Sequence, residues 1–301
     1  MHHHLSWLEA GVIGALQGAA ELFPVSSLGH SVLLPALIGG SWARDLNVST
    51  PESPYLAYVV GLHVATAIAL IIYFWRDWVR IVTGLVTSIV HREVRTTDQR
   101  LAWLLILATI PVGLAGLILE KWFRTTLAKP VPTACFLILN GLLLLLAERM
   151  RRRDPDVNTE YVDERTGGPE SDAQLARQSV VGAVLVGSAQ VAALAPGISR
   201  SGVTMVAGMV RGLSREDAAR FSFLLATPVI LAAGALKIPD LMGPLGDGIR
   251  GQVLFGAVLS GVGAYLSVRF LTRYLANRSL RPFGVYCLIV GGTSLAVFAA
   301  R

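Results

Sequence analysis

Residues 15–34 read ALQGAAELFPVSSLGHSVLL. Both ends have the apolar character of a membrane helix. The middle holds Gln17, Glu21, Pro24, Ser26, Ser27, Gly29 and His30. A carboxylate, two hydroxyls and an imidazole are costly in hydrocarbon. Whether this stretch is a spoiled span or a built feature therefore decides the fold.

The rest of the chain sets the context. Of its 301 residues, 53% are hydrophobic and 15% charged, where a soluble domain averages about 25% charged. The chain reads as an all-α polytopic membrane protein whose apolar residues are partly satisfied by the bilayer. The net charge of +6 is then a matter of loop topology and not a nucleic-acid signal. Membrane lipids are the expected surroundings, and no nucleic acid is expected as a partner. Cys135 and Cys287 both lie in apolar runs and offer neither a disulfide framework nor metal-ligand spacing. No cleavable signal peptide is visible, and the HHH at residues 2–4 has the look of a tag remnant.

A span needs about 20 apolar residues. Six runs qualify, near 56–75, 101–119, 131–147, 219–236, 251–270 and 283–299. Two further apolar regions are interrupted. Residues 5–38 break at FPVSSLG, and residues 179–210 break at APGISRSG. Each half is short for a crossing, so both are expected to be re-entrant helix–loop–helix hairpins. Irregular backbone survives at membrane depth only when buried in protein or lining a wet cavity.

Charge tests this layout. If both hairpins return to the side they entered from, the segments 76–100, 148–178, 211–220 and 269–281 share one side and carry 18 of the 26 Lys and Arg. The positive-inside rule makes that side cytoplasmic and places both termini outside. The polar stretch 151–178 reads as a cytoplasmic linker, mobile over much of its length. It divides the chain into a first repeat (1–150) and a second (179–301), each a hairpin followed by three spans.

The hairpins resemble each other. GALQGAAELFPVSSLG begins at Gly14 and GSAQVAALAPGISRSG at Gly187. Gln17 then matches Gln190, Ala20 matches Ala193 and Ser26 matches Ser199, with Pro24 and Pro196 one position out of step. LATIPVGLAG (107–116) echoes LATPVILAAG (225–234). Three spans per repeat is odd, so the repeats are expected to be inverted, with hairpin tips meeting near the midplane.

Arg200 is the Lys or Arg, and Glu21 the acid, placed well inside an apolar segment. A structural ion pair joining the hairpins is the plain explanation. The neighbours point further. A Ser beside a His, as in Ser27 and His30, is the elementary activated nucleophile. Both SSLGH and SRSGVT start a helix after a Pro-containing turn, and helix N-termini bind phosphate. Arg200 suits bidentate phosphate recognition, and Ser26, Ser199, Ser201 and Thr204 add hydroxyls. Gln17 and Glu21, at i and i+4, share one helix face and are candidate oxygen ligands for Mg²⁺ or Ca²⁺. Gln17 alone reads equally well as a helix-packing hydrogen bond. His63, within the span 56–75, reads as a packed or hydrogen-bonded histidine. Trp75, Trp78 and Trp122 read as interfacial anchors.

These motifs resemble those of the bacterial undecaprenyl-diphosphate phosphatases of the bacitracin-resistance type. QGAAELFPVSSLGH (17–30) is similar to that family's [E/Q]-x-x-x-E motif with Ser-Ser-x-x-His, and PGISRSGVT (196–204) to its P-G-x-S-R-S-x-x-T motif. FSFLLATPVILAAG (221–234) and PFGVYCLIVGG (282–292) extend the likeness over nearly the whole chain. The resemblance implies hydrolysis of a C55 polyprenyl diphosphate to the monophosphate, recycling the lipid carrier of cell-wall precursors, with a divalent cation. It implies Glu21, Ser27, His30 and Arg200 as the chemical group. Gln17 with Glu21 would be metal ligands, and Ser26, Gly197, Ser199, Ser201 and Thr204 phosphate contacts. Gln17 stands where the family often has Glu, Cys287 where an Arg is expected after the Tyr, and the linker is long. The expected chemistry is attack by Ser27 with His30 as base, or by water activated at His30 or Glu21. Access from the periplasmic or extracellular side is expected, and a homodimer remains open. A polyprenyl-phosphate transporter or flippase on the same inverted-repeat plan is the alternative.

Overall fold

The computed structural model describes residues 5–48, 54–151, 169–243 and 246–301. The HHH run and linker positions 152–168 lie outside the described residues. Those described form thirteen α-helices and one 3₁₀ stretch, with no strand among them. In chain order the helices are α1 (Trp7–Leu22), α2 (Ser27–Ile38), α3 (Gly40–Asp45), α4 (Pro54–Tyr73), α5 (Trp75–His91), α6 (Thr97–Leu127) and α7 (Pro130–Arg151). They continue with α8 (Pro169–Ala176), α9 (Val180–Ser188), α10 (Arg200–Val210), α11 (Arg215–Met242), α12 (Arg250–Asn277) and α13 (Arg281–Ala300). The 3₁₀ stretch, Ala189–Leu194, prolongs α9.

Six of these are long and apolar enough to cross a membrane: α4, α6, α7, α11, α12 and α13. They coincide with the six runs read from hydropathy. The interrupted regions form the short pairs α1–α2 and α9–α10, each broken at its Pro, Gly and Ser cluster. Their starts are locally encoded. Ser6 and Glu9 close a capping box on α1, which satisfies two otherwise orphaned N–H groups. Ser26 caps α2 by accepting from the Gly29 N–H at 3.1 Å, and Ser199 caps α10 through Gly202 N–H at 3.1 Å.

Packing crosses between the two halves of the chain. α1 lies on α12, α9 on α6, α4 on α11 and α12, and α7 on α13. The first two contacts are backbone against backbone. A Cβ on Gly18 would stand 2.3 Å from the Ser260 carbonyl oxygen, and one on Gly187 would stand 2.0 Å from that of Ala108. Small residues let membrane helices approach this closely, where dispersion replaces the missing hydrophobic force.

Two readings of the polar segments need correction. Residues 76–100, read as loop, contain α5. Val79, Val82, Val86, Ile89 and Val90 are exposed along it while Ile81, Gly84 and Ser88 are buried. The arginines at 76, 80 and 92 masked this helical spacing. The end of the linker is α8, and it is docked. Asp172 is 2% exposed. It accepts from Arg80 and Arg220 at 2.6 Å each, so α8 is held to α5 and α11.

Candidate active site

The tips of the two short-helix pairs touch. A Cβ on Gly29 would lie 3.0 Å from Gly197 Cα. Gly197 has φ +107, and a Cβ there would stand 2.3 Å from the Thr133 carbonyl oxygen. Only glycine suits that backbone and that space. Asn140, buried on α7, braces both tips. Its Nδ2 donates to the Pro24 carbonyl at 2.9 Å, and its Oδ1 accepts from the Ser199 N–H at 3.0 Å.

Between the tips sits Glu21, in the last turn of α1 and 7% exposed. Arg200 Nη2 donates to its Oε1. Ser27 Oγ donates to its Oε2, as does Gln17 Nε2 at 2.9 Å. His63 Nε2 lies 3.1 Å from the same Oε2. Four side chains from α1, α2, α4 and α10 thus converge on one buried carboxylate. Such a group is tolerated in a low-dielectric interior only when paired and hydrogen-bonded.

The remaining expected residues have definite places. Ser26 and Ser199 serve as the helix caps. Ser26 adopts φ 66, a left-handed conformation uncommon outside glycine, of the kind that clusters at functional sites. Ser201 Oγ is 3.0 Å from Ser199 Oγ and donates across the tips to the Glu21 and Phe23 carbonyls at 3.4 Å. Thr204 donates back to the Arg200 carbonyl at 2.7 Å, within its own helix.

The Ser27–His30 pair is not formed. His30 Nδ1 is 2.8 Å from the Ser26 carbonyl, and Nε2 is 2.9 Å from Tyr286 Oη. A carbonyl only accepts, so Nδ1 carries the hydrogen and Nε2 accepts from the tyrosine. The ring is held by the turn before it and faces α13, while Ser27 faces Glu21. His63, read as a packed or hydrogen-bonded histidine, is hydrogen-bonded, and its partners are the Val59 carbonyl and the central carboxylate. Asn140 and Tyr286 lie outside the two hairpin motifs. An Asn in a membrane run is a signal of its own, since an amide there must find partners.

The donor set occupies Glu21 and leaves only Gln17 Oε1 open to a cation. Both carboxylate oxygens already accept hydrogen bonds, one of them from a guanidinium. Gln17 turns its N–H to Glu21, leaving its buried Oε1 without a partner.

Residues 10–293 match the family model described as "Bacitracin resistance protein BacA". The chain belongs to this family. It is 61% identical to the undecaprenyl-diphosphatase of Mycolicibacterium paratuberculosis (strain ATCC BAA-968 / K-10), over 100% of both chains. It is 60% identical to that of Mycobacterium avium (strain 104), again over 100% of both. Undecaprenyl-diphosphatase 1 of Frankia casuarinae is 51% identical over 97% of this chain and 98% of its own. The resemblance read from the two motifs is therefore a membership that spans the chain.

Proposed function

We propose that this multi-pass membrane protein is a phosphatase that hydrolyses undecaprenyl diphosphate to the monophosphate and inorganic phosphate. Family membership and full-length likeness to undecaprenyl-diphosphatases support the substrate. One observation carries the site: Ser27 and Arg200, each the first residue of its helix, both donate to Glu21.

The polyprenyl tail stays in lipid and the diphosphate enters between the tips. Arg200 engages Glu21 and the Ala226 carbonyl, at 3.2 Å for the latter, and its remaining N–H donors take phosphate oxygens. Ser27 Oγ attacks the terminal phosphorus, and its proton passes to Glu21 Oε2, to which it is already bonded. The bond from that phosphorus to the bridging oxygen breaks and the lipid monophosphate departs. Water then attacks the phosphorus of the phosphoserine, the bond from phosphorus to Ser27 Oγ breaks, and Oγ takes back the proton held on Glu21, which restores both groups and releases phosphate. Fixed donors aimed at the transferring group supply most of such catalysis. In this reading Glu21, not His30, is the base. A divalent cation, Mg²⁺ or Ca²⁺, would supply charge neutralisation to the diphosphate, with Gln17 Oε1 the open protein oxygen near it, and no step of this reading passes through it.

The topology belongs to the same reading. α1 and α2 have 16 and 12 residues, rising about 24 and 18 Å against about 30 Å of hydrocarbon. Re-entrant hairpins account for that shortness. The crossed packing, α1 on α12 and α9 on α6, supports an inverted repeat of 1–150 and 179–301. Both termini and the mouth of the site then lie on the periplasmic or extracellular side, and pairing of two copies is compatible with this layout. A flippase would share the architecture, so phosphate release decides. The wild-type protein is expected to release phosphate from undecaprenyl diphosphate and to yield a trappable phosphoserine. Ser27→Ala keeping substantial release with no trapped phosphoenzyme would sink the nucleophile. Cysteine labelling of residue 301 from the cytoplasmic side alone would sink the topology.

A further inference from the structure

His63 belongs to a transmembrane helix that carries neither motif, yet it reaches the centre of the site. Its Nδ1 lies 2.7 Å from the Val59 carbonyl one turn earlier. Its Nε2 lies 3.1 Å from Glu21 Oε2. Both ring nitrogens face oxygen acceptors, so the ring meets Glu21 as a doubly protonated imidazolium that donates from both nitrogens. The ring is also fixed. Val59 holds it from behind, and α4 is clamped by its packing on α11 and α12. Thr66, one turn on from His63, lies 3.3 Å from Ser260 Oγ on α12. His63 is part-exposed, with 24% of its side chain accessible.

The carboxylate needs such a partner. Gln17 shares a helix with Glu21 and moves with it, and Ser27 must leave Oε2 when it attacks. Arg200 holds Oε1. Without His63, the outer support of Glu21 rests on one side only. We propose that His63 is a positioning residue of the active site. By donating to Oε2 from α4, opposite the Gln17 amide that donates to the same atom from α1, it fixes the plane of the Glu21 carboxylate so that Oε2 stays aimed at Ser27 Oγ. It acts through Glu21 and not on the phosphate. This deepens the function proposed above and rests on Glu21 being the base.

The test measures phosphate release from undecaprenyl diphosphate by the purified full-length protein, comparing wild type, His63→Ala, His63→Gln and Glu21→Gln. A misplaced catalytic group costs on the order of 10²-fold. His63→Ala is therefore expected to lower kcat by about that much, with KM within about threefold of wild type. His63→Gln, whose amide N–H can reach Oε2, is expected to recover kcat to within about tenfold of wild type. Glu21→Gln is expected to be inactive. If Glu21→Gln is inactive while His63→Ala matches wild type, the His63 proposal alone is overturned. It is equally overturned if the Gln variant is as slow as the Ala variant, or if KM rises at unchanged kcat. Release by Glu21→Gln at the wild-type rate, or none by wild type, would overturn the proposed function and this inference with it.

Discussion

Ser27 and Arg200 stand at the same place in two different tips. Each is the first residue of a helix, directly after a serine cap that accepts from the glycine N–H three residues on. The register that sets Gln17 on Gln190 and Ser26 on Ser199 also sets Ser27 on Arg200, and Glu21 on Leu194. The arms differ accordingly. The first stays α-helical through Glu21, whereas the second tightens into the 3₁₀ stretch before Leu194. Two similar scaffolds thus hold three unlike groups: one acceptor, one hydroxyl donor and one guanidinium donor. In the proposed function, asymmetry at two positions is what turns a meeting of helix ends into a reactive centre.

Making the tips alike should destroy that centre. Glu21→Leu copies the second tip into the first, removing the acceptor and leaving Arg200 without its counter-charge. Phosphate release is expected to fall by at least about 10⁴-fold, as for loss of a reacting group. Thermal unfolding should show a loss of about 3–5 kcal/mol, the usual result of breaking a buried ion pair from one side. Arg200→Lys keeps the charge but loses the planar fork that reaches Glu21, Ala226 and the phosphate together. Its release rate is expected to drop about 10²–10³-fold, the scale for one oxyanion donor. Retention of wild-type kcat would deny Arg200 its place opposite Ser27.

Asn140→Ala tests whether the tips need their brace. It leaves the Pro24 carbonyl and the Ser199 N–H without the side chain that pairs them. A loss of about 1–3 kcal/mol in denaturant unfolding is expected, with activity falling alongside. The smallest effect separates the two caps. Replacing a serine cap by glycine costs a few tenths of a kcal/mol. Ser26, at φ 66, sits where glycine relieves strain, while Ser199, at φ −86, does not. Ser26→Gly is therefore expected to be at least as stable as Ser199→Gly in the same melt. The reverse order would mean that the Ser26 backbone is not the strained one.

The sequence made the spans legible because hydrocarbon demands long apolar runs, and the tips legible because Pro, Gly and Ser interrupt two of them. Glu21 and Arg200 stood out for the same reason, since membrane-depth charges need partners. His63 did not. A single histidine in a span carries no sign of its partner until α4 is packed beside α1. His30 misled through proximity. Three residues from Ser27 along the chain, it is drawn to the Ser26 carbonyl and to Tyr286, 256 positions away. Short-range spacing names the residue types, while the acceptor each one finds is set by long-range packing.

The glycine seams described for the fold constrain movement. With Gly18 against Ser260 and Gly187 against Ala108, both arms that carry the tips are seated on opposite-half helices at backbone distance. Swinging either arm away would exchange that contact for lipid, which is no less apolar and packs less closely. The arms are the fixed jaws of a vice, and in the proposed function the lipid headgroup comes to the jaws rather than the jaws to it.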